Sequence, residues 1–126
     1  MGLNENRKIQ ELKEKVLPER SKEIAEICGK EIPYEVDWDS FDTFEALNFL
    51  DNISCHRLNM ALRTICSDEI GKKAVRDGLK LIKIKHLNNN MAQLSFVDGI
   101  LGMTNDYVQK AYSSDYDICT LLTEKL

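Results

Sequence analysis

Between Ser54 and Cys66 the chain reads SCHRLNMALRTIC, which holds two of its four cysteines and one of its two histidines. Thiols and an imidazole this close can ligate a metal or build a nucleophile. They can also do no chemistry, since a free Cys packs as a small hydrophobe. Spacing decides among these. On a helix over 43–66, at about 100° per residue, Phe44, Leu47, Cys55, Leu58, Leu62, Ile65 and Cys66 share one broad face. Cys55 and Cys66 then point the same way but sit about 16 Å apart along the axis. That is beyond disulfide reach and beyond sharing one metal ion. His56 diverges from Cys55 by about 100°, so the adjacent pair makes no dyad. Cys28 and Cys119 lie far away in sequence, and no C-x-x-C occurs. Free, buried thiols in a reducing compartment are the expectation.

A second row on the same helix is polar: Glu45, Asn48, Asn52, His56, Asn59 and Arg63. Solvated helix faces usually carry Lys and Glu, whereas Asn is the commonest residue of this one and charges are few. Opposite it, Phe49, Ile53 and Met60 form a smaller apolar patch. A helix that is apolar on two sides suits a central position or a subunit seam. Two site predictions follow. A ligand pocket between this helix and a sheet would be lined by His56, Asn59, Arg63 and His86. A self-association seam would use Phe49, Ile53 and Met60.

The stretch EVDWDSFD supplies a third candidate. If it is a strand, Glu35, Asp37 and Asp39 share one face, with Trp38 beside them as an anchor for a basic protein partner. Read as an EF-hand loop from Asp37, it has Asp42 where glycine is required and Asn48 where glutamate is required, so it fails. Lys80, Lys83 and Lys85, with Lys72, Lys73 and Arg76, make a basic row without a glycine-rich phosphate loop. G-x-S-x-G, P-loop, G-x-G-x-x-G and H-E-x-x-H motifs are all missing. The expectation is therefore no catalytic constellation, no metal site and no cofactor.

These residues need elements to hold them. Ile9, Leu12 and Val16 recur at helical spacing on a charged background, and Pro18 opens a second helix that Gly29 ends. Ile32 to Trp38 alternates like a half-buried strand, with Pro33 favouring a sheet edge. Ser40 or Asp42 caps the long helix, and Ser67 caps a short one that ends at Gly78. Three strands follow as a meander: LKLIKIKHL, then NNN as a turn, MAQLSFV, then Asp98-Gly99 as a hairpin turn, and ILGMTNDYV. Ser114 with Asp117 caps a terminal helix. The order α-α-β-α-α-β-β-β-α predicts an α+β domain over residues 1–126, helices on one face of a mainly antiparallel sheet.

A chain of 126 residues suits one domain with a real core. A net charge of -4 with both signs interspersed argues against general nucleic-acid binding. No apolar run approaches the length of a membrane span, and MGLNENRKIQ lacks a signal-peptide core, so a cytoplasmic protein is expected. The leading expectation is a binding protein that forms a homodimer or takes a protein partner. The rivals are a small-ligand protein or enzyme using the polar pocket, and an acidic inhibitor of a basic enzyme.

Overall fold

The computed structural model describes residues 2–126. Helix α1 (Leu3–Glu11) runs through a widened π turn (Leu12–Val16) into α2 (Leu17–Cys28). Pro18 does not separate two helices, as its ring would suggest. In regular α geometry that ring clashes with the carbonyl four residues back. The π turn lies directly ahead of it and moves that carbonyl away. Gly29 ends the rod in the left-handed region, φ +87°, where its N–H donates to the Ala25 carbonyl at 2.8 Å.

A second rod joins α3 (Phe44–Leu50), a π turn (Asp51–Cys55) and α4 (His56–Ile65). Its buried positions step along as Leu47, Leu50, Ser54, Leu58, Leu62 and Cys66, close to every fourth residue. The wider turn explains that slow drift, and Phe44 falls outside the buried face. Thr43, neither Ser40 nor Asp42, caps the rod by accepting the Ala46 N–H at 3.1 Å. Helix α5 (Glu69–Gly78) is capped by Asp68, one residue after the expected Ser67. Helix α6 (Asp115–Lys125) opens with the predicted capping box of Ser114 and Asp117.

Four strands form one mixed sheet in the order β1-β2-β4-β3. They are β1 (Tyr34–Val36), β2 (Leu81–His86), β3 (Gln93–Val97) and β4 (Ile100–Asn105). The α+β class stands, but the pairing does not follow a mainly antiparallel meander. β1–β2 and β2–β4 are parallel, and β3–β4 is antiparallel. The Asp98-Gly99 turn, φ +53° and +81°, makes the expected hairpin. What differs is the link 87–92, which crosses over the end of β4 instead of turning back beside β2. Two bonds fix that crossing: Leu87 N–H to the Asn105 carbonyl (3.0 Å) and Asn90 N–H to Asp106 Oδ2 (2.9 Å). β1 is also shorter than its alternation suggests. It stops at Val36, and Trp38–Ser40 forms a 3₁₀ turn.

Burial alternates strictly along β2 and β4, so the sheet has two unlike faces. Ile82, Ile84, Leu101 and Met103 face inward and join the leucines of the two rods in one core. Lys83 and Lys85 face outward. No helix among the described residues is long and apolar enough to cross a membrane.

Candidate functional site

Among the described residues, no helix lines the outward sheet face over Lys83, Lys85, Gly102 and Thr104. Strand register sets its side chains in rows. Leu81, Ile100 and Val97 form an apolar row at one end. Next come Glu35, Lys83, Gly102 and Ser95, then Lys85, Thr104 and Gln93. Gly102 has no side chain, and a Cβ there would stand 2.6 Å from Ser95 Oγ. The result is a shallow depression of about 500 Å³, bounded by Glu35, Asp37, Lys83, Lys85, Gly102 and Thr104. Lys83 Nζ reaches Glu35 at 3.5 Å, so acid and base alternate across this face. Asp39 lies in the 3₁₀ turn instead of continuing the row. Trp38 is half-buried against the core, with the Lys13 ammonium 5.5 Å over its ring.

The four residues expected to line a pocket go to different places. His56 is exposed on α4. Asn59 is buried, and its Nδ2 donates to Glu23 Oε1 of α2 at 2.5 Å; Arg63 lies 3.7 Å from the same oxygen. Arg20 closes this joint, donating to both oxygens of Asp51 (2.8 and 3.1 Å) and to Glu23 (3.1 Å). The Asn59 hydrogen bond, aided by Arg20 and Arg63, holds the Glu23 carboxyl below the usual range against the opposing effect of burial. Asn59 and Arg63 thus tie the two rods together. His86 is buried elsewhere, its ring 5.6 Å from Phe41 and 5.8 Å from Tyr107. Its Nδ1 accepts the Tyr107 N–H (3.3 Å), which leaves the proton on Nε2 to donate to Asn88 Oδ1 (2.8 Å). Phe49 and Met60 are partly exposed on the second rod, and Ile53 is half-buried between them in sequence.

Cys55 lies in the core as expected. Burial pushes its thiol up to about 12. Sequence reasoning missed two polar assemblies. One is a buried clasp: Asn105 Nδ2 donates to Tyr107 Oη (3.1 Å) and Ser54 Oγ (3.3 Å), and those two hydroxyls bond each other. The other is a thiol pair, Cys28 with Cys66, whose Sγ atoms lie 2.6 Å apart. Nothing local signals that contact, because it joins the ends of two different rods.

No protein-family model, no curated protein and no solved structure matches this chain.

The functional reading therefore rests on surface. Beyond its pairing with β4, the β3 backbone forms no hydrogen bond among the described residues. Gln93 to Val97 contains no charge and no proline, the usual protections of an edge. Val97 is 64% exposed. Below this edge Phe96 borders a groove in which Ile70, Ala74 and Leu126 lie among Lys73, Asp77 and Lys125, and Ile70 stands 84% exposed. The other edge, β1, is three residues long, follows Pro33 and carries Glu35.

Proposed function

We propose that the chain is a binding module that associates with a second copy of itself through the outer edge of β3. The carrying observation is that bare edge: unpaired, uncharged and flanked by the exposed apolar side chains of Val97 and Ile70. An antiparallel pair centred on Ser95 would set Gln93 opposite Val97 of the other copy. It keeps Leu94 and Phe96 on the helical side, so both copies satisfy their backbone groups without moving a side chain across the sheet. Such a contact is isologous and closes on itself.

Native mass spectrometry of the intact chain tests it. A dimer is expected. Val97→Lys should weaken it at least about tenfold, because an edge lysine opposes strand pairing. Met60→Glu should leave it intact. A mass that stays monomeric at every concentration would sink the reading. Dissociation by Met60→Glu alone would move the contact to the Phe49, Ile53 and Met60 seam.

A second reading rests on the depression over Gly102, with Lys83 and Lys85 facing Glu35 and Asp37. Its volume suits a small polar ligand of mixed charge, though it is open and lies across a sheet face. A stoichiometric organic adduct that Lys85→Glu abolishes would favour it over self-association. The same alternation of charge gives a basic enzyme no continuous acidic surface on Glu35, Asp37 and Asp39.

A further inference from the structure

We propose that Cys28 and Cys66 are a modification site: together they form a reversible intramolecular disulfide that staples the end of α2 to the end of α4. The two sulfurs are in direct contact at 2.6 Å, with no atom between them, although 38 positions separate the residues in sequence. Each sits where a rod stops, Cys28 as the last residue of α2 and Cys66 as the cap of α4. Cys66 retains 4% exposure and Cys28 none, so an oxidant reaches Cys66 first. Burial raises both thiols above the ordinary range, and Lys72 and Arg76 of α5, which stand near the pair, oppose that rise. Cys55 is buried beside Tyr34 and Asp51 with no second thiol in contact, and Cys119 lies on α6 next to Thr123.

The oxidant is a small-molecule disulfide. The Cys66 thiolate attacks one of its sulfurs, the S–S bond breaks, and one thiolate leaves and takes up the Cys66 proton. The Cys28 thiolate then attacks the Cys66 sulfur of the mixed disulfide and expels the second thiolate, which takes up the Cys28 proton. Two protein S–H bonds are lost and one S–S bond forms. The oxidant gains both electrons and both protons as two free thiols.

The test is native oxidation of the full chain with oxidised glutathione, then alkylation in denaturant and intact mass measurement. The expected product is about 2 Da lighter than the reduced chain before alkylation, as loss of two hydrogens requires. It carries two alkyl groups instead of four, and an unreduced digest joins the Cys28 and Cys66 segments. Its Tm should rise by about 5 °C or more, as closing a long loop requires. Cys55→Ser should form the same bond and then carry one alkyl group instead of three. Four alkylatable thiols after oxidation, a bond to Cys55 or Cys119, or glutathione adducts alone would overturn the proposal. The digest reads the unsubstituted chain, so the answer does not depend on any cysteine variant folding.

Discussion

Asp106 is fully buried, and burial on its own would raise its carboxyl. Backbone N–H groups of Gln109, Asn90 and Val108 outweigh that and, with His86 nearby, hold it below the usual range. A carboxyl lowered by folding stabilises the native state above the unfolded value, about 3.9, and that contribution is lost as pH falls through the lower folded value. Asp106→Asn should cost about 2 kcal/mol at pH 7, since an amide N–H₂ must then face a backbone N–H. Denaturant unfolding checks it, and the gap between wild type and variant should narrow as the acid range is entered. An unchanged midpoint at pH 7 would mean the crossing loop does not depend on this carboxylate. The sequence pattern runs the last strand straight through this residue. Asn105-Asp106 is nonetheless a turn-forming dipeptide, and it was the one readable sign of the clasp. The Cys28–Cys66 contact had no such sign, because helical periodicity fixes a residue's face and not its tertiary neighbour.

Helix α5 depends on a close approach. A Cβ on Gly71 would lie 1.7 Å from the Ile65 carbonyl oxygen at the end of α4. In an isolated helix alanine is preferred over glycine by about 1 kcal/mol. Here Gly71→Ala should reverse that sign and destabilise by about 3 kcal/mol or more, because α5 must move off α4. A thermal melt decides it, and a raised Tm would show that α5 docks loosely. Elements were the most legible level of this chain. The Ser114–Asp117 box, the Gly29 cap and the Asp98-Gly99 turn each act within a few residues, and each forms as its residues predict. Thr43 caps one residue after Asp42 and three after Ser40, and Asp68 one residue after Ser67. Side chains of similar capping power compete there, and packing selects among them.

For the whole molecule, the unlike edges matter more than any single site. Hydrogen exchange should find the β2 and β4 amides slowest, since each of these strands has a neighbour on both sides. Outward amides of β3 should exchange fast at low concentration and slow as concentration rises. Exchange that ignores concentration would contradict pairing of two copies there. Strand order was not legible, because NNN signals only that the chain turns. Whether the next strand lies beside β2 or one place further out depends on bonds to Asn105 and Asp106, more than ten residues downstream. That order has a consequence for synthesis. A chain leaving the ribosome releases β1, β2 and β3 before the strand that belongs between β2 and β3. Until Asn105 emerges, the uncharged β3 segment has no partner within its own chain. At roughly 5–20 residues per second, the wait is brief, but neighbouring nascent chains share it.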